Sequence, residues 1–203
     1  MPTLNHDRLR RFLADMTSLV GGAQQDKDEK AIVEVGSKLL GELVAHDDWL
    51  PESCAAANPG TYQQHLLYCD PQERFSVVSF VWAPGAFTPV HDHLTWGLIG
   101  MLRGAESEER YERCADGSLE PVTQAILRPG EVGVVSPSIG DIHRVSNALP
   151  DRASISIHVY GGNIGAIRRH KFDLAHNSAE DFISGYSPTP LPNIWDRSKE
   201  PGT

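Results

Sequence analysis

The stretch Ala153-Ser154-Ile155-Ser156-Ile157-His158-Val159-Tyr160 alternates strictly between polar and apolar side chains. A period of two means extended chain, with Ser154, Ser156, His158 and Tyr160 on one face and Ile155, Ile157 and Val159 on the other. On residue pattern alone this is either an edge strand with one wet face or a strand carrying a polar row inward. The second option matters because Ser, His and Tyr can each hydrogen-bond the next, and buried polar groups demand such partners. Similar short β-branched or aromatic runs predict further strands at 75–82, 97–102, 105–112, 122–127, 131–135 and 143–145. Turn signals separate them at Ala83-Pro84-Gly85, Asp116-Gly117, Pro129-Gly130 and Leu149-Pro150. Many short strands between regular turns specify a sandwich or barrel.

The period is different before residue 50. Leu9, Phe12, Leu13, Met16, Leu19 and Val20 recur at steps of three and four, which predicts a helix capped by Asn5 or Asp7 and ended by Gly21-Gly22. A second helix is expected with the stripe Ile32, Val35, Leu39 and Leu43, and with Asp26, Asp28 and Glu29 at its N-terminal dipole. Gly36 and Gly41 count against it. From Tyr186 onward, Pro188, Pro190, Pro192 and Pro201 predict an extended tail on the surface. The expectation is one domain over 1–203, with a helical part at 1–50, a β-barrel core at 62–165 and the tail at 186–203.

Charge and composition exclude classes of partner. A net charge of −9 with no basic stripe argues against nucleic acid. No apolar run is long enough to span a bilayer. Met1-Pro2-Thr3-Leu4-Asn5-His6-Asp7 has neither the basic nor the apolar region of a secretory signal, and three cysteines without metal-type spacing fit a reducing compartment, so a cytoplasmic protein is expected. Nothing in the sequence bears on oligomeric state.

The histidines carry the chemistry. His91 and His93 are two apart and share a side in extended chain, which is half of a metal site. His143 follows a turn at Pro137-Ser138-Ile139-Gly140 in another strand-like segment. The glycine spacing around them, Gly85-x5-His91-x-His93 followed by Gly97 and Gly104, resembles the first motif of the cupin superfamily, with Gly97 where that motif usually has glutamate. Gly140-x2-His143-x3-Asn147 resembles the end of the second motif. A cupin fold is therefore expected: a mainly β, double-stranded β-helix or jelly-roll-like barrel with N-terminal helices. Three neutral imidazoles leave a divalent charge uncompensated and coordination positions open, as non-haem iron chemistry requires. Zinc with three histidines and water is the competing reading.

With Ser156-x-His158-x-Tyr160 added, the set is similar to the thiol dioxygenases, the cysteine dioxygenase family of cupins, over roughly residues 62–160. That resemblance implies Fe(2+) on His91, His93 and His143, a small thiol and O2 as substrates, and a sulfinic acid as product. It also implies Tyr160, held by His158 and Ser156, as the catalytic row. Members acting on cysteine carry an arginine in a Tyr-x-Arg stretch that takes the substrate carboxylate. Here the stretch is Tyr62-Gln63-Gln64, which looks like the bacterial branch acting on 3-mercaptopropionate. Gln64, Arg168 and Tyr160 are then the substrate-binding candidates, with L-cysteine as the alternative substrate. Gly97 falls where the mammalian enzymes have the cysteine that crosslinks to the tyrosine, so Tyr160 is expected to stay unmodified. Two other classes stay open: a ligand-sensing metal-binding cupin, which has no need of the Ser–His–Tyr row, and a zinc hydrolase or isomerase, which wants a carboxylate base that Asp92, between the histidines, is badly placed to be.

Overall fold

In the computed structural model, residues 4–22 and 29–188 are described. Two helices, α1 (His6–Gly22) and α2 (Glu29–Val44), precede the strands β1 (Tyr62–Cys69), β2 (Ser76–Trp82), β3 (Val90–His91), β4 (Gly97–Arg103), β5 (Glu106–Arg113), β6 (Leu119–Leu127), β7 (Val132–Val135), β8 (His143–Asn147), β9 (Ser154–Tyr160), β10 (Arg169–Asp173) and β11 (Ser178–Phe182). The strands form two antiparallel sheets, ordered β1-β2-β9-β4-β7 and β11-β10-β3-β8-β5-β6. The expected mainly β, double-stranded β-helix architecture with N-terminal helices is the one observed.

The alternation of β9 has its physical reason here. β9 is the central strand of the first sheet, paired with β2 on one side and β4 on the other, and the residues of both its faces are buried. Ile155, Ile157 and Val159 pack outward with Val77, Val81, Phe75 and the helical residues Phe12, Met16 and Leu40. The polar face turns into the barrel, where Tyr160 packs with Val78, Phe80, Trp82 and Val145. Ser154, Ser156, His158 and Tyr160 are all buried.

Helix α2 corrects the expected stripe. Its buried residues are Ile32, Gly36, Leu40, Leu43 and Val44, while Val35 is exposed and Leu39 only half-buried. Gly36 causes the rotation. A Cβ there would lie 2.8 Å from Leu98 Cδ1 of β4, so the glycine is a point of close approach between helix and sheet. Asp26 and Asp28 lie outside the described residues, as does the tail from residue 189.

Four strands exceed the expectation. β1 carries buried Gln63, Gln64 and His65, and the β10–β11 hairpin is largely charged, so neither shows an apolar period; β3 is two residues long. The barrel sheet consequently runs past residue 165 to Phe182. The start of the expected surface tail is also tucked in. Tyr186 is buried, its hydroxyl donating to Asn163 Oδ1 (2.6 Å) and accepting from the Gly165 amide (3.1 Å).

Candidate metal centre and cavity

His91 and His143 face each other as paired residues of β3 and β8, and His93 follows in the turn after β3. All three are buried, and one ring nitrogen from each lies within 4.8 Å of the other two. Each ring is oriented from behind. His91 Nδ1 lies 3.0 Å from the Pro89 carbonyl, His93 Nδ1 lies 3.1 Å from Asp141 Oδ1, and His143 Nδ1 lies 2.7 Å from Glu108 Oε1. An acceptor at Nδ1 fixes the proton there and leaves Nε2 with a bare lone pair. Burial, and then the neighbouring imidazoles, hold His91 and His93 well below the usual histidine range, so they stay neutral. Nε2 of His93 is buried without any hydrogen-bond partner among the described residues. Three converging lone pairs, one of them orphaned, fit a divalent cation.

Asp141 also clamps the turn. Its Oδ2 accepts from the amides of His93 (3.0 Å) and Leu94 (2.9 Å), which holds Leu94 at a φ of 57°. Burial raises the Glu108 carboxyl, but its bond to His143 and the neighbouring Arg110 outweigh that and keep it below the usual range. Asp92 turns away from the centre. It accepts from the His170 amide (2.8 Å) and pairs with His170 Nδ1 (2.7 Å), tying β3 to β10.

The polar face of β9 leads to the same place. Ser156 Oγ lies 2.8 Å from His158 Nε2, and His158 Nδ1 lies 2.7 Å from the Tyr160 hydroxyl. Trp82 Nε1 donates to Ser156 Oγ at 3.2 Å. Burial pushes His158 down to about 3 and raises Tyr160 above the usual phenol range, so both are neutral at physiological pH. The Tyr160 ring stacks on His93 with centroids 5.2 Å apart. Gly97 pairs with Tyr160 across β4 and β9, and a Cβ there would lie 3.0 Å from the Tyr160 ring, so the position leaves no room for a side chain.

A cavity bounded by His91, His143, His158 and Tyr160 opens beside this row, walled by Phe80, Val145 and Ile164. Gln64 reaches it from β1, with its amide nitrogen donating to the Gly185 carbonyl. Arg168 does not reach it. That side chain is 55% exposed and pairs with Asp181 at 3.5 Å. Its neighbour Arg169, the first residue of β10, turns inward instead: it is 4% exposed, lines the cavity, donates to Ser184 Oγ (2.7 Å) and lies over Phe182 (4.7 Å). Arg169 Nε is buried with no hydrogen-bond partner among the described residues. Arg169, Glu108, Asp141 and Trp82 escaped the sequence reading. For Arg169 a signal existed, since two adjacent arginines at a strand start must face opposite sides; the others are distant in sequence from the groups they orient. Trp96 packs against the outer core rather than the cavity, and His65 of β1 is buried.

Residues 54–173 match the family model described as cysteine dioxygenase type I. Among solved structures, the chain is similar to a double-stranded β-helix protein from Klebsiella pneumoniae, at 15% identity over 55% of this chain and 80% of that one, with a TM-score of 0.44. It is also similar to a cupin superfamily protein from Desulfitobacterium hafniense, at 16% identity over 57% and 91%, TM-score 0.42. An oxalate oxidase in complex with glycolate matches at 17% identity over 54% and 56%, TM-score 0.43.

Proposed function

Because the chain belongs to the cysteine dioxygenase type I family, whose members are thiol dioxygenases, we propose that it adds both atoms of O2 to the sulfur of a small thiol carboxylate, with 3-mercaptopropionate as its substrate and Fe(2+) held by His91, His93 and His143. One observation carries the reading: two imidazoles of the buried three-histidine cluster, His91 and His143, line one cavity with a buried arginine that forms no ion pair among the described residues. When bound, ferrous iron supplies open positions for thiolate and dioxygen and the redox chemistry that joins them.

The chain's own residues do the rest. Arg169 binds the substrate carboxylate, assisted by the second amide hydrogen of Gln64. Tyr160 donates its hydroxyl into the cavity, with His158 and Ser156 fixing its position. Phe80, Val145 and Ile164 exclude water, which strengthens both polar contacts. Among the described residues, no Asp or Glu lines the cavity. The ammonium group of L-cysteine would therefore be buried unpaired, which is costly, whereas 3-mercaptopropionate has none.

The test is anaerobic loading with ferrous iron followed by oxygen uptake over a panel of thiols. One iron per chain is expected, with kcat/KM for 3-mercaptopropionate exceeding that for L-cysteine by about 10- to 100-fold, the worth of one unmet charged group. His143→Ala should hold no iron tightly. A preference for L-cysteine overturns the substrate, and oxygen uptake with no thiol overturns the activity.

A further inference from the structure

One buried carboxyl takes no part in the site as described. Glu106 opens β5 and is 2% exposed, yet neither of its oxygens has a hydrogen-bond partner among the described residues. Its polar neighbours are the hydroxyls of Ser154 and Ser156, and Ser154 Oγ also lacks a partner. An isolated carboxylate in such a place is costly unless it takes up a proton. Burial accordingly pushes the Glu106 carboxyl up to about 8, with the two serine hydroxyls opposing. The other titratable side chains on this face of β9 are His158, neutral through burial, and Tyr160, which the charge of an ionised Glu106 would disfavour as an anion.

The Ser156–His158–Tyr160 row can run in either direction. If Ser156 donates to His158 Nε2, then His158 Nδ1–H donates to Tyr160 and the Tyr160 proton is free for the cavity. If His158 Nε2–H donates to Ser156, then Tyr160 must donate to His158 and offers the cavity only a lone pair. Ser156 has one hydrogen and two lone pairs. Trp82 occupies one lone pair. The partner at the other lone pair, or at the hydrogen, therefore selects the direction. Glu106 is the side chain in position to be that partner, and the terminal torsion of a glutamate is soft enough to close the bond.

We propose that Glu106, as a neutral acid donating to Ser156, is a positioning residue that sets the direction of the Ser156–His158–Tyr160 row and leaves the Tyr160 hydroxyl free to donate into the cavity. The assignment of a use to that donor rests on the thiol dioxygenase reading; the direction of the row does not.

The direction is read directly by 15N NMR of the metal-free full-length protein with labelled histidine, the His158 signals being those lost in His158→Gln. The expected tautomer carries its proton on Nδ1. Glu106→Leu should shift His158 to a mixture or to the Nε2–H form, and Glu106→Gln, whose amide still donates, should restore Nδ1–H. In the iron-loaded enzyme Glu106→Leu should lower kcat roughly tenfold with KM little changed, the cost of one misdirected hydrogen bond. Glu106→Gln should recover most of it. The Glu106→Leu/Tyr160→Phe double variant should be no slower than Tyr160→Phe alone, because both act through one hydroxyl. An Nε2–H tautomer in the wild type, an unchanged tautomer in Glu106→Leu, or additive losses in the double variant would each overturn the proposal. If Glu106→Leu does not fold, the infrared carbonyl band of an un-ionised carboxyl at pH 7, lost in Glu106→Gln and shifted in Ser156→Ala, decides; its absence from the wild type refutes the neutral acid. Should the tautomers behave as expected while no thiol is oxidised, the thiol dioxygenase reading fails and the role of Glu106 stands.

Discussion

Arg168 and Arg169 are adjacent and chemically identical, yet one pairs with Asp181 in solvent and the other is buried over Phe182 in the cavity. Arg169 opens β10 and turns inward while Arg168 stands just before the strand, so a matched pair of substitutions isolates the effect of position. Arg169→Met should raise KM for the thiol carboxylate by about 10- to 100-fold, since a charge-assisted bond is lost, while Arg168→Met changes it less than twofold, as expected for an exposed ion pair. Equal effects in steady-state kinetics would remove Arg169 from the substrate site. Tyr160 is argued in the same way. Its hydroxyl has one hydrogen-bond partner among the described residues, His158, and it does not belong to the three-histidine cluster. Tyr160→Phe should therefore reduce turnover by ~10- to 1000-fold, the range of a positioned donor, with iron content by metal analysis unchanged. Mass spectrometry of the peptide bearing Tyr160 should show no thioether, because Gly97 stands against the ring where a cysteine would be needed. His91, His93, His143 and the Ser–His–Tyr row were legible as residues because local spacing carries them. Arg169 was missed because the strand that turns it inward has no apolar period, and Glu106 because its neighbours Ser154 and Ser156 are some fifty positions away in the chain.

Among the elements, α2 and β4 meet through paired glycines. Gly36 of the helix admits Leu98 of the strand, and Gly100 of the strand admits Leu40 and Val44 of the helix, with a Cβ at Gly100 placed 2.7 Å and 2.9 Å from them. These contacts explain why a helix with two interior glycines is retained against its propensity: the loss of about 1 kcal/mol per glycine is offset by burial of Leu40 and Val44. Gly100→Ala should cost about 1–3 kcal/mol by overpacking, measured as a drop in the urea midpoint. Because Gly100 lies on the outward face of β4, metal content should survive. A neutral result would mean that α2 moves away from the sheet at little cost. By propensity, which is local, Gly36 and Gly41 count against the helix, whereas the contact that Gly36 permits is with a strand some sixty residues on. β9 shows the reverse case: its alternation stated which residues share a face, and the barrel interior into which the polar face turns decided that it is buried.

For the whole molecule, two buried groups of opposite tendency shape stability against pH. Glu106 titrates at about 8 in the folded chain against an ordinary 4.5, so the folded state keeps a proton that the unfolded state releases, and its contribution falls as pH rises from 4.5 to 8. His158 titrates at about 3 against 6.5, so the unfolded state takes up a proton that the folded state refuses, and stability falls as pH drops from 6.5 towards 3. Thermal unfolding of the metal-free protein should show Glu106→Leu gaining on the wild type across pH 4.5 to 8 and levelling off above; a difference independent of pH would mean that Glu106 is not shifted. No described helix is long and apolar enough to cross a membrane. What the amino-acid sequence determined by itself was whatever follows from neighbours within a few positions: the β periodicity, the first helix, the His91–His93 pair and the Ser156–His158–Tyr160 row. Tertiary structure alone decided which buried acceptors orient the three imidazoles, which of two arginines enters the cavity, how α2 is rotated on its sheet, and that Glu106, without a hydrogen-bond partner among the described residues, lies beside Ser154 and Ser156. Those outcomes depend on strands brought together across the barrel, where burial and hydrogen-bond partners come from residues distant in the chain.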